Sequence, residues 1–199
     1  MAAEAVGHGA LFAFAPGKGI VAHREAGSVL HVYVALRRSA EWIAGIDFSD
    51  AAVATTRVSA EFKGWAPALT ALITDSDTAP IPRMIHALPD DHRWDRMPGV
   101  TLLGDAAHLT APNGEGANLA MLDGAELGLA IAAHPGDIEA ALTAYEAAMF
   151  PRSESAAAGG QNILKLCLDD RAPFGLVDFF RHALDRSPLG GDDAHSKRS

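Results

Sequence analysis

The stretch that decides the fold is Gly99-Val100-Thr101-Leu102-Leu103-Gly104-Asp105, a short apolar run that ends in a glycine and a carboxylate. Such a run, bounded by glycine, is typical of a strand buried on both faces. A loop over 106–115 and a helical pattern over 116–133 follow it. The order of strand, loop and helix predicts a ligand site, because ligands bind at the carboxyl ends of strands in open α/β sheets.

The residues of this loop suit a ligand that combines hydroxyl groups with negative charge. Asp105 can accept hydrogen bonds from the hydroxyls of a polyol, and the free N–H groups that open the next helix favour an anion. Gly114 and Gly116 would let a planar ligand approach the backbone. In the alternative interpretation Asp105 only caps the loop and the glycines only make a turn. The residues alone leave both open.

Upstream, three short apolar stretches separated by glycine turns predict an antiparallel meander: Leu11–Ala15, Gly19–Glu25 and Ser28–Arg37. Alternate residues of the third stretch are aliphatic and predict its core face, namely Leu30, Val32, Val34 and Leu36. His31 and Tyr33 lie on the opposite face, where they can meet a cavity or solvent.

The rest of the chain is predicted to be largely helical, with boundaries set by caps, proline and glycine. The predicted helices are Ser49–Phe62, Pro67–Thr74, 116–133, Ile138–Phe150, Gln161–Leu168 and Phe174–Leu184. Pro151 is expected to end or kink the fourth of these, and Ile81–Leu88 is predicted to be a further strand. The fold class is therefore mixed α/β, and we expect three segments, at 1–98, 99–152 and 153–199.

Composition and charge exclude several classes of function. The chain of 199 residues is 49% hydrophobic with a formal charge of −9, which fits a globular protein and argues against nucleic acid as a partner. No run approaches the ~20 apolar residues of a membrane helix, and the first residues do not resemble a signal peptide. The single cysteine, Cys167, favours a reducing compartment, the cytoplasm. Nine histidines show no zinc-type spacing along the chain, so no metal site is predicted.

The central stretch resembles a known motif. The run from Gly99 to His108, then Pro112, Gly114-Glu115-Gly116-Ala117-Asn118 and Asp123-Gly124, looks like the second FAD-binding motif of class A flavin monooxygenases. These are the para-hydroxybenzoate hydroxylase-like enzymes, and the tetracycline-inactivating type is the most similar. The resemblance extends over about residues 8–165, through Ala40-Glu41-Trp42 upstream and Pro151-Arg152 downstream.

This resemblance implies a cofactor, a reaction and a set of contacts. In such enzymes NAD(P)H reduces FAD, the reduced flavin activates oxygen, and a carbon of an aromatic or polyketide-like substrate is hydroxylated. The residues implied in FAD binding are Gly104, Asp105, Pro112, Gly114, Glu115, Gly116, Ala117 and Asn118, with Asp105 at the ribityl chain. The residues implied at a hydrophobic substrate on the meander are His31, Tyr33, Phe12 and Val21. No catalytic side chain is assigned, because the flavin carries the chemistry.

The sequence lacks the Gly-x-Gly-x-x-Gly motif that holds the ADP half of FAD in this family. The chain therefore resembles the carboxyl-terminal half of such an enzyme, a partial fold without the dinucleotide-binding βαβ unit. We expect weak FAD binding by this chain alone, and a second copy or a complementing chain covering an exposed sheet edge. Two alternatives stay open: a non-catalytic small-molecule binding module that lost its flavin site, and an inert truncated product.

Overall fold

The computed structural model describes residues 2–185, with side chains described as far as 182. The chain divides into two compact units. Unit 1 consists of the residues up to Pro82 together with those from Leu166 onward, and unit 2 is Arg83–Lys165. These boundaries differ from the three segments expected from the sequence, because unit 1 is formed from two separate parts of the chain.

Unit 1 contains the predicted meander. Strands β1 (Ala10–Ala15), β2 (Lys18–Arg24) and β3 (Leu30–Leu36) form an antiparallel sheet in the order β1-β2-β3. The aliphatic side of β3 packs on the core as predicted. The buried residues of that core are Val6, Ile20, Ala22, Val58, Phe62, Leu72 and Ile73. The opposite side of β3 leaves His31 and Tyr33 exposed.

The helices of unit 1 are bounded by local signals. They are α1 (Ala2–Val6), α2 (Ala40–Ala44), α3 (Ala51–Ala60), α4 (Pro67–Thr74) and α8 (Phe174–Asp185). The Asp50 carboxylate accepts from the N–H groups of Ala52 and Val53, and so begins α3. The predicted positions of α3, α4 and α8 are confirmed to within two residues at each end. Residues from 186 onward lie outside the described part.

Unit 2 is helical and, within its described residues, has no strand longer than an isolated bridge between Met97 and Val100. It consists of α5 (Asp105–His108), α6 (Gly116–Ala133) and α7 (Ile138–Leu168, as far as Lys165). The prediction for α6 is confirmed. Together these give a mixed α/β architecture with one small antiparallel sheet.

The predicted buried strand at Gly99–Leu103 is wrong. Two of its backbone groups bond to side chains of α7, and no strand within residues 2–185 pairs with it. The Glu139 carboxylate accepts from Gly99 N–H at 2.6 Å, and the Tyr145 hydroxyl donates to the Leu102 carbonyl at 3.2 Å. With nothing covering its outer face, Leu103 remains 42% exposed.

Ile81–Leu88 is also not a strand, which corrects the second strand prediction. Its one backbone bond to another segment joins Leu88 N–H to the Leu109 carbonyl at 2.8 Å. Ile81 is 73% exposed and Ile85 53% exposed. A sequence pattern of apolar residues is not enough for a strand when the described residues nearby offer no partner with free N–H and C=O groups.

The prediction of a helix that ends at Phe150 and a separate helix at Gln161–Leu168 is wrong as well. One helix, α7, continues through Pro151 to Leu168. Proline removes one backbone hydrogen bond, but buried residues on both sides stabilise the helical path, including Met149 and Ser153. The Ser153 hydroxyl donates to the Met149 carbonyl at 3.0 Å. Tertiary packing therefore overrides the local signal.

No helix in the range 2–185 is both long enough and apolar enough to cross a bilayer.

Candidate functional site

The Gly104-Asp105 turn begins helix α5 and sets the position of the Asp105 carboxylate. Gly104 has φ 59° and ψ −143°, a conformation that only glycine adopts readily. A Cβ at this position would also lie 3.2 Å from the Cβ of Ala120 on α6. Asp105 is the first residue of α5 and is exposed. Within residues 2–185 no donor contacts its carboxylate, which leaves both oxygens available to a ligand.

A buried carboxylate, Asp123 on α6, holds this turn in place. Asp123 is fully buried. Its Oδ2 accepts from Gly104 N–H at 2.8 Å and from His108 Nε2 at 2.5 Å. Its Oδ1 accepts from Arg152 Nη2 at 2.7 Å. One side chain therefore joins the turn, the end of α5 and helix α7.

The surroundings of Asp123 keep it ionised. Burial raises the pKa of a carboxyl group, but the hydrogen bonds from Gly104, His108 and Arg152 outweigh this and hold the pKa of Asp123 below its usual value. Burial also opposes the charge on Arg152, yet its hydrogen bonds to Asp123 and Glu126 raise the Arg152 pKa. His108 orders the turn through its bond to Asp123.

The loop after α5 is positioned by a close backbone contact with α7. A Cβ at Gly160 would lie 2.7 Å from the Ala111 carbonyl oxygen. Real Cβ atoms do not approach so closely, so glycine is required at 160 for the loop to lie against the helix. The Asn113 side chain accepts from Glu115 N–H at 2.9 Å and closes the last turn before α6.

Helix α6 begins at Gly116 without a capping side chain. The N–H groups of Gly116, Ala117 and Asn118 belong to the first turn, where an α-helix offers no internal acceptor. Ala117 and Asn118 are exposed. The helix therefore presents free donors and the positive end of its dipole beside the loop.

A shallow cavity of about 80 Å³ lies between the turn, the loop and the start of α6. The residues that line it include Asp105, His108, Pro112, Asn113, Gly114 and Gly116. Four of these belong to the predicted cofactor set. Complete ligand sites measure roughly 300–1,000 Å³, so the described residues form part of a site.

The glycines of the loop allow a test of whether the site fits a flavin. A Cβ at Gly116 would meet no atom within 4 Å, and its φ is not positive. Neither packing nor backbone conformation therefore requires glycine there. Gly114 has φ 85° and likewise faces open space. An open backbone surface next to free N–H donors and an unpaired carboxylate fits a flat ring that carries a polyhydroxyl chain.

The predicted substrate residues lie on the exposed face of the sheet in unit 1. Phe12, Val21 and Tyr33 are directly opposite one another across the three strands and form one row. Phe12 is 57% exposed and Tyr33 is 55% exposed. His31 lies on the same face, opposite His23. The structure brings these four side chains together, and their role in binding stays a prediction.

Sequence reasoning missed the roles of Asp123, Arg152 and Gly160. The first two appeared only as part of the family resemblance, because nothing local indicates that residues 29 positions apart form a buried ion pair. For the third a signal existed. Paired glycines inside a helical stretch, Gly159-Gly160, indicate a close approach of another backbone.

Comparison with known proteins agrees with this geometry. Residues 66–158 match the FAD binding domain family. The matched range includes the turn, the loop, Asp123 and Arg152, while β1–β3 lie outside it. A segment of 96 residues is 42% identical to the FAD-dependent urate hydroxylase of Mycolicibacterium vanbaalenii. This match covers 47% of the chain and 24% of that relative. The two similarities support a relationship with FAD-dependent monooxygenases.

Proposed function

We propose that this chain binds the ribityl and ring portion of FAD, as part of an enzyme that hydroxylates an aromatic or polyketide-like small molecule. The observation that carries the proposal is the exposed, unpaired Asp105 beside the open backbone at Gly114 and Gly116. The buried Asp123 holds the Gly104-Asp105 turn, and all these residues lie within a segment that matches an FAD-binding domain.

Each group in this site has a physical role. Asp105 accepts hydrogen bonds from the ribityl hydroxyls, and a bond to a charged acceptor is among the stronger ones. The N–H groups at the start of α6 stabilise negative charge on the ring edge nearest them. The glycines keep side chains out of the space that the ring needs. When bound, FAD supplies the redox and oxygen chemistry, with NAD(P)H as the proposed reductant.

The proposed substrate is a hydrophobic ring system that lies on the sheet face of unit 1. Phe12, Val21 and Tyr33 offer an apolar row, and His31 adds a polar contact. Aromatic side chains favour planar partners through stacked and edge-to-face contacts. The relative is a urate hydroxylase, which supports hydroxylation of a planar ring as the reaction class.

The ADP half of FAD is proposed to be held by residues other than those described. The small cavity and the missing Gly-x-Gly-x-x-Gly motif support this division. Exposed apolar residues of unit 2, Ile85 and Leu103, support packing of a dinucleotide-binding segment, a complementing chain or a second copy on that unit. The cytoplasm remains the proposed location, because Cys167 is the single cysteine.

Flavin titration tests the proposal. Fluorescence quenching of riboflavin, FMN and FAD by the purified chain measures whether binding depends on the ribityl-ring part. We expect the three ligands to bind with similar weak affinity. Asp105→Asn should weaken binding by about ten- to a hundredfold, the value of a hydrogen bond to a charged group. Asp91→Asn is the matched control, because Asp91 is exposed and has no hydrogen-bond partner in the described residues.

A second pair of variants distinguishes a ligand surface from an ordinary turn. Gly116→Ala and Gly124→Ala both add a methyl group in open space on α6. Each should leave the fold intact and raise its stability slightly. Only Gly116→Ala should weaken flavin binding. Equal flavin affinity in the two variants, or no quenching by the wild-type chain at millimolar flavin, would refute the proposal and favour the module without a flavin site.

A further inference from the structure

A cluster of potential metal ligands lies on the exposed face of the sheet in unit 1. His23, Glu25 and His31 each direct one ligand atom to a common point, and these atoms all lie within 4.8 Å of one another. His23 Nε2 is 3.2 Å from Glu25 Oε1, and His31 Nδ1 is 3.5 Å from the same oxygen.

The cluster stands on a rigid framework. His23 on β2 and His31 on β3 are directly opposite each other in the antiparallel register. Glu25 follows β2, and its N–H donates to the Val29 carbonyl at 2.9 Å. This bond closes the turn between the strands. The Tyr33 ring stacks on His23 at 6.0 Å and meets His31 edge-on at 6.2 Å. Sheet register and ring packing thus limit the positions of both imidazoles.

The separations match the ligand spacing of a tetrahedral transition-metal site. Zinc binds imidazole nitrogen and carboxylate oxygen at roughly 2.0–2.2 Å. Two such ligands in tetrahedral geometry are therefore about 3.3–3.5 Å apart. The two separations to Glu25 Oε1, 3.2 Å and 3.5 Å, are close to this spacing. The three ligand atoms all lie within 4.8 Å of one another.

We propose that His23, Glu25 and His31 form a binding site for a divalent transition-metal ion of the zinc class. Three protein ligands leave the fourth position open to water or to an oxygen donor of a small molecule. This position faces the side of the sheet that carries Tyr33. The site lies in unit 1 and requires no flavin, so its test is independent of the proposed FAD site.

Sequence spacing did not reveal this cluster. Ligand motifs such as His-Glu-x-x-His describe ligands that lie on one helix, whereas His23 and His31 lie opposite each other on two strands. The expectation of no metal site rested on that spacing alone. The simpler interpretation of the cluster is an ion pair between Glu25 and one protonated histidine. Such a pair requires no metal, and it does not require the second histidine to lie near the same Glu25 oxygen.

Titration of the chain with Zn²⁺ and Co²⁺ tests the proposal. Isothermal calorimetry with Zn²⁺ should give one site per chain, and Co²⁺ should produce the visible absorption of low-coordinate cobalt. His23→Asn and His31→Asn should each weaken Zn²⁺ binding by at least about tenfold, and Glu25→Gln should do so to a smaller extent. His86→Asn is the matched control, since His86 is exposed and outside the cluster.

All these positions are half-buried or exposed, so circular dichroism should show that the variants fold. Failure of the wild-type chain to bind Zn²⁺ at millimolar concentration would overturn the proposal. Retention of wild-type affinity in both His23→Asn and His31→Asn would also overturn it, because the ion would then be held by other residues.

Discussion

Replacement of Asp123 by asparagine should loosen the turn that carries Asp105. The Asp123 carboxylate accepts three hydrogen bonds, from Gly104, His108 and Arg152. Asparagine has one acceptor oxygen, so its NH2 group must face at least one donor. It also removes the negative charge opposite Arg152. Because Asp123 is fully buried, water cannot replace the lost contacts.

The magnitude follows from the burial of this ion pair. Removing one partner of a buried pair costs about 3–5 kcal/mol. The lower end applies here, because Arg152 is 21% exposed and keeps Glu126 Oε2 at 2.5 Å. A loss of about 3 kcal/mol raises the equilibrium constant for opening roughly a hundredfold.

Hydrogen exchange measured by mass spectrometry reports this opening locally. Peptides that cover 99–112 contain the amides of Gly104 and His108, whose protection should fall about a hundredfold in Asp123→Asn. Glu126→Gln is the matched control on the same arginine. Its pair is 33% exposed on the glutamate side, so its cost should stay within about 1 kcal/mol. Equal protection in the two variants would refute the central role given to Asp123.

Three further outcomes are expected. The pKa of Asp123 is lowered in the folded state, so its stabilising charge is fully present above the usual pKa of 3.8 and is lost as pH falls through the lower folded value. In urea unfolding, the difference in free energy of unfolding between wild type and Asp123→Asn should therefore shrink below pH 3.8. A difference that stays constant with pH would contradict this. Gly160→Ala should displace the Ala111 carbonyl and lower the thermal midpoint and flavin affinity together, whereas Gly159→Ala, which meets open space, should raise the midpoint slightly and leave flavin affinity unchanged. Burial raises the pKa of the Cys167 thiol, so the thiol should react more slowly than free cysteine with a disulfide reagent at pH 8. In urea the reaction should accelerate to the rate of free cysteine. A fast reaction of the native protein would rule out the half-buried position.

Local patterns predicted the elements whose formation depends on local contacts. The meander followed from alternating residues and glycine turns, and α3, α4 and α6 followed from caps and helical spacing. Gly99–Leu103 shows the opposite case. Its composition is that of a buried strand, but a strand requires a neighbouring strand. Two of its backbone groups instead form hydrogen bonds with the side chains of Glu139 and Tyr145.

The candidate site was predictable in part for the same reason. Asp105, Gly114 and Gly116 are close in sequence, and the short loop between α5 and α6 brings them together whatever the distant chain does. Asp123 and Arg152 act over longer separations, where no periodic pattern specifies a pairing. The histidine cluster of unit 1 depends on strand register, which the sequence constrained only through the turn between β2 and β3.

The division of unit 1 into two separate parts of the chain affects how the protein is made. The buried cluster beneath the sheet, from Val6 to Ile73, precedes Arg83, so the sheet and the helices packed on it can assemble while the remainder is still being translated. The hairpin turn at Gly17 donates to the Leu168 carbonyl at 3.0 Å, and this contact must wait until unit 2 has left the ribosome. Unit 1 therefore begins to fold first but is completed last, after unit 2 has emerged from the ribosome.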